Sequence, residues 1–177
     1  MEIYRMNGDN IPAIATLMST IKPEWWNFNG AVKQLSDISS AVFNIGWLIG
    51  ETEESPLGWL LCSEHVNYSC LNIECLGYAE NGEFVAEEQL EPLLVVAERY
   101  AVANDHRLLR YVISSPSLSC HEMELDEYWE SLKELKSYGR KDYDYMIGYG
   151  FKPAGFLPNC YGKGIHGVML IKELKVG

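Results

Sequence analysis

The apolar residues of this chain change their period several times, and the order of those changes constrains the fold more than any single motif. Between Asp9 and Pro23 they recur every three or four positions, at Ile14, Leu17, Met18 and Ile21, the spacing of a helix with one buried face. From Ala41 the pattern becomes that of strands. The stretches 42–49 and 57–63, either side of a turn at 50–56, are rich in β-branched and aromatic residues, and 70–78 is a third such run. Helical spacing returns with Leu90, Leu93, Leu94, Ala97 and Ala101 and gives way to a strand at 108–114. Strand, helix, helix, three strands, helix, strand is a mixed order that suits an α+β domain more than a doubly wound sheet.

The boundaries follow from local chemistry. A short strand is expected over Glu2 to Met6, and Asp9 or Asn10 then caps a helix whose Pro12 sits in the first turn, where a missing N–H costs nothing. Pro23 ends that helix. The connection 23–30 is unusually aromatic, with Trp25, Trp26 and Phe28 available for core packing or for a pocket wall, and a short helical run follows over 31–38. In the segment 115–141, Leu125, Tyr128, Trp129, Leu132 and Leu135 predict an inserted helix over 125–138, which packs on the core, contacts a second copy in a homodimer, or covers a groove. A helix over Asp142 to Gly148, a stop at Gly150, and strands at 153–157 and 166–174 complete a single domain spanning 1–177.

Charge and cysteine usage exclude several function classes. Twenty-five acidic residues against fourteen basic ones leave a formal charge of −11, which repels nucleic acid phosphates and anionic membrane surfaces. The N-terminus MEIYRMNGDN lacks a basic segment leading into an apolar one, and no stretch is long enough to span a bilayer, so a cytoplasmic protein is expected. The five cysteines form no Cys-x-x-Cys pair. Neither a disulfide framework nor a zinc ribbon is indicated, and the adjacent Cys120 and His121 lack evident further ligands, so no metal is expected.

The whole order of elements resembles the GCN5-related N-acetyltransferases. Two stretches carry the likeness in detail: AVFNIGWLIGETEESPLGWLL is similar to the hairpin of that family's second and third strands, and GYGFKPAGFLPNCYGKGIHGVMLIKEL to its C-terminal pattern, in which Gly150 and Phe151 lead into the closing strands and Lys172 and Leu174 end them. The resemblance implies a mostly antiparallel central sheet flanked by helices, acetyl-CoA lying where the fourth and fifth strands splay, and direct attack of a primary amine on the thioester. That chemistry needs a base for the ammonium, donors for the developing oxyanion and an acid for the departing thiolate.

On this resemblance, Glu74 in LNIECLGY is the candidate base; the alternation of a strand, which would place it opposite Ile73 and Cys75 on a solvated face, explains the residue without any chemistry. The family's tyrosine acid falls on Met146, so the neighbouring Tyr145 is the candidate proton donor, or else an ordinary interfacial tyrosine. The cofactor is expected along Leu76, Gly77 and Tyr78 and beside Glu88 and Gln89 at the start of the next helix.

One departure stands out. The family's Arg/Gln-x-x-Gly-x-Gly/Ala signature cradles the pyrophosphate with backbone N–H groups, and here its positions fall on Val85, Ala86, Glu88 and Leu90. At roughly 6 Å and an effective dielectric near 20, carboxylates such as Glu87 and Glu88 would each oppose phosphate binding by about 2 to 3 kcal/mol before screening. They also suit a helix N-terminus, whose dipole they complement, and the loop 79–84 with Asn81 and Gly82 could supply N–H groups in another frame. Two functions are therefore expected: an N-acetyltransferase for a small-molecule amine or peptide, cationic amines being favoured by the acidic charge and by an aromatic wall of Trp25, Trp26 and Tyr68, or a catalytically silent module of the same fold that binds a small molecule or a protein.

Overall fold

The structure is a computed structural model; it describes residues 1–23, 25–40, 44–64, 68–79, 86–125 and 127–175, with the backbone alone for 38–40, 44 and 86–89. The chain divides into two compact units, essentially 1–106 and 107–175.

In the first unit, β1 (Glu2–Arg5), β2 (Asn44–Gly50), β3 (Pro56–Glu64) and β4 (Cys70–Tyr78) form successive antiparallel pairs in chain order. Helices α1 (Ile11–Ile21) and α2 (Phe28–Ser40) close one face, where Ile14, Ala15, Met18, Ala31 and Leu35 pack on Leu48, Trp59, Leu61 and Cys75. The long α3 (Ala86–Ala103) belongs to the other face, Leu93 approaching Gly58 and Tyr100 meeting Trp47 edge-on at 5.6 Å. Both faces are buried, which explains why the strands read as near-continuous apolar runs.

The helix ends follow their sequence signals with one exception. Asn10 precedes α1 but makes no capping bond; its side chain, almost wholly buried, accepts from the Asn7 N–H at 2.9 Å and donates to the Arg5 carbonyl and the Glu53 carboxylate. The residue braces the β1–α1 turn instead of the helix. At the C-terminus of α3, the His106 N–H bonds the Ala101 carbonyl and the Asp105 N–H that of Val102, with Asp105 in the left-handed region at φ 60° where glycine is more usual.

The second unit is the antiparallel array β5 (Leu108–Ser114), β7 (Gly167–Glu173), β6 (Lys152–Leu157), with β7 central. Helix α5 (Lys141–Gly148) ends in the same type of motif: the Phe151 N–H reaches Met146 and that of Gly150 reaches Ile147, Gly150 taking φ 102° as its position in the sequence suggests. The insertion differs from expectation. Among its described residues only α4 (Tyr128–Lys133) is helical, six residues with none buried, while 117–119 pair antiparallel with 136–138 and so pin the base of the segment. The stripe from Leu125 to Leu135 lacks a long partner surface, and Tyr128 alone docks deeply, its ring against Phe156 at 5.3 Å and its hydroxyl accepting the Phe156 N–H. No helix among the described residues is long and apolar enough to cross a membrane.

Candidate active site

Strand β4 carries the feature on which a site can be built. Its register with β3 slips at one point: Leu61 lies opposite Cys75, yet Cys62 lies opposite Ile73, so Glu74 is an extra residue without a cross-strand partner. An extra residue of this kind bends the strand and re-aims side chains, and such irregularities concentrate beside active sites. Here it brings two consecutive side chains to one face. Cys75 packs in the α1–α2 core and its sulfur accepts from the Trp59 indole N–H at 3.4 Å, while Glu74 accepts a short hydrogen bond from the Ser63 hydroxyl, and Ser63 shares a face of β3 with Trp59 and Leu61. The alternation expected of Glu74 thus holds against Ile73 and fails against Cys75.

Ser63 is in turn held. The Asn72 amide donates toward its oxygen at 3.5 Å, and the Cys70 thiol donates to the Asn72 carbonyl oxygen at 3.4 Å, giving a polar line from Cys70 through Asn72 and Ser63 to Glu74. Asn72 is buried and Glu74 exposed, so the line runs from the interior to a carboxylate at the surface. Sequence reasoning singled out Glu74 but not Ser63 or Asn72. Their polarity in otherwise apolar strands was a signal, but without the register nothing linked it to Glu74. The Cys75 thiol beside it is pushed up by burial, against the lowering effects of the Trp59 hydrogen bond and the Lys22 charge, and is therefore a packed neutral group.

Beyond the irregularity, Leu76, Gly77 and Tyr78 are half-buried and uncharged. Gly77 is required by packing, since an added Cβ would lie 2.2 Å from the Trp59 ring. Of the residues expected at the cofactor phosphates, the side chains of Glu88 and Gln89, together with those of Ala86 and Glu87, lie outside the described residues, as do residues 80–85. The described part of β4 fits the uncharged arm of coenzyme A, offering a half-buried backbone with a small residue and no carboxylate between Cys75 and Ala79. In the α1–α2 connection, Trp25 is exposed with the Lys22 ammonium 5.1 Å from its ring centre, whereas Trp26 packs on the core and donates to Gln34 at 2.6 Å.

In the second unit, α5 presents two neighbouring residues very differently. Met146, where the resemblance expected a tyrosine, is wholly buried in the core. Tyr145 is half-buried with its hydroxyl oxygen shielded from solvent, and its ring stacks on Tyr149 at 6.2 Å with 14° between planes. Tyr149 continues the stack to Phe151 and lies under the Lys172 ammonium, 3.7 Å from the ring centre. The start of α5 is fixed by Arg140, which grips the Asp142 carboxylate with two nitrogens and the carbonyls of Ser114 and Pro116 with a third. Cys120 is buried and His121 meets the Ser115 hydroxyl through Nδ1 at 3.2 Å.

No family model matches the sequence, and no curated protein matches it. The structure does match solved ones. An aminoglycoside 6'-N-acetyltransferase complexed with coenzyme A superposes with a TM-score of 0.84 at 13% identity, over 98% of this chain and 97% of that one. The aminoglycoside 6'-N-acetyltransferase from Enterococcus faecium gives 0.80 at 12% identity over the same shares, 98% and 97%. The ribosomal-protein-S18-alanine N-acetyltransferase from Escherichia coli gives 0.67 at 8% identity, over 99% of this chain and 95% of that one. At these identities the likeness speaks for architecture. The chain has the α+β fold of the GCN5-related N-acetyltransferases, as its order of elements implies.

Proposed function

We propose that this protein is an N-acetyltransferase that moves an acetyl group from acetyl-CoA to the amine of a small cationic molecule or a peptide. The observation that carries the reading is the register slip at Glu74, which sets an exposed, hydrogen-bonded carboxylate in the middle of an apolar strand. Acetyl-CoA, when bound, supplies an activated acetyl thioester. Glu74 takes the proton of the acceptor ammonium, directly or through one water, so that the nitrogen lone pair can form the C–N bond as the C–S bond breaks. Ser63 and Asn72 hold the carboxylate in one orientation, and the leaving sulfur takes up a proton as the free thiol forms. Leu76, Gly77 and Tyr78 line the path of the cofactor's arm. The fold neighbours include enzymes whose names give aminoglycosides and a ribosomal-protein alanine as acceptors, so the fold leaves the acceptor open. The net charge of −11 and the exposed Trp25 favour a cation.

The burial of Met146 favours a second reading, a catalytically silent module that keeps the groove and binds without turnover. Unfolding in the presence of acetyl-CoA, followed by release of free coenzyme A thiol with a panel of amines, separates the two. Cofactor at about 100 times its dissociation constant raises the midpoint by several degrees. A rise with amine-dependent thiol release supports the enzyme, a rise without release supports the silent module, and neither effect removes acetyl-CoA from the account.

A further inference from the structure

The face of α3 turned away from the sheet carries a pattern that the proposed chemistry does not use. Leu90, Leu93, Leu94, Ala97 and Ala101 are buried, whereas Pro92, Val95 and Val96 remain half-exposed, flanked by exposed Glu91 and Arg99. With Ile3 of β1, which is 38% exposed, these residues line a groove of about 400 Å³. The aliphatic stripe continues to Val102, 36% exposed, at the end of the helix. Neither Glu91 nor Arg99 has an ion-pair partner among the described residues.

Glu91 and Arg99 are placed symmetrically, four residues either side of Val95, which at 1.5 Å per residue puts each charge about 6 Å along the axis from that valine. A two-fold axis through Val95 sets a second α3 antiparallel to the first, with valine against valine and each Glu91 opposite the other copy's Arg99. The stripe is thus self-complementary in charge, as an interface between identical copies must be. An added strand is a poor alternative occupant, because the neighbouring edge strand β1 has four residues and carries Glu2 and Arg5. We infer that the α3 groove is the contact surface of a symmetric homodimer, in which α3 packs on its own copy about Val95 with reciprocal Glu91–Arg99 ion pairs.

The test is sedimentation of the full chain at physiological salt up to about 100 µM, a range that reveals even modest association. The wild type sediments as a dimer. Glu91→Arg makes the stripe wholly positive and Arg99→Glu makes it wholly negative, so each variant alone shifts to monomer, while an equimolar mixture recovers the dimer through two restored pairs. Circular dichroism confirms that each variant is folded, and the recovery in the mixture separates lost contact from lost fold. A wild type that stays monomeric, a Glu91→Arg chain that still dimerises fully, or a mixture that stays monomeric overturns the inference; monomeric wild type would leave the groove to a different partner.

Discussion

Glu64 and Glu74 stand on neighbouring strands of the same sheet, yet the protein treats them in opposite ways. Glu64 points to the α3 side, where it bonds His106 Nε2 at 3.1 Å and contacts Tyr100, whose ring lies beside Trp47 and within 5.9 Å of the Arg5 guanidinium. Burial first, and then the hydrogen bond and charge of Glu64, push the Tyr100 phenol up. Glu64 is thus spent on His106 and Tyr100, while His106 Nδ1 has no partner among the described residues. Glu74 points to the α1–α2 side, is exposed, and is held through the Ser63 hydroxyl. A carboxylate committed to buried partners serves the fold, and one oriented but open to solvent can serve chemistry. The contrast ties stability to the α3 face and the proposed chemistry to the register slip in β4.

That contrast can be broken by substitution. Gly77→Ala should do the most damage: its Cβ collides with the Trp59 ring, and displacing so large a buried side chain costs about 3 kcal/mol or more, read as a lower midpoint in urea. His106→Ala should lower stability by about 1 to 3 kcal/mol, by removing one of the two partners of Glu64, while kcat stays within a few-fold. Ser63→Ala should change stability by under about 1 kcal/mol and reduce kcat several-fold with KM little changed, because it frees Glu74 to rotate without removing it.

The thiols sharpen the same division. Burial pushes Cys62 and Cys75 up, so both stay protonated in the folded state above the pH at which an unfolded thiol ionises. The unfolded chain then holds fewer protons than the folded one, and stability falls as pH rises above about 8.5. Replacing both with alanine should flatten that limb. Labelling of the native protein should reach the exposed Cys160 first and the four buried cysteines only on unfolding.

Much of the architecture was legible in the sequence because period and punctuation agree with packing. The run 108–114 reads as a strand and is one, 70–78 likewise, and Gly150 takes the left-handed conformation that ends α5. The inserted helix was overread: a stripe at three- and four-residue steps predicts a helix only where a surface exists to receive it, and Trp129 is 64% exposed. Glu74 was legible as a charge in an apolar strand, but its position beside Cys75 was not, because a one-residue slip is a property of the pairing with β3 and leaves no mark in β4 alone. Asn10 was misassigned for a related reason: its amide is claimed by Arg5 and Glu53, the latter 43 positions away in sequence.

The most direct measurement is acetyl transfer by wild type and by Glu74→Gln, followed as thiol release under saturating acetyl-CoA with the best amine of the panel, beside the unfolding midpoint of each. The account predicts that Glu74→Gln loses about 10²- to 10⁴-fold in kcat with an unchanged midpoint and unchanged acetyl-CoA binding. Full activity in Glu74→Gln would contradict it.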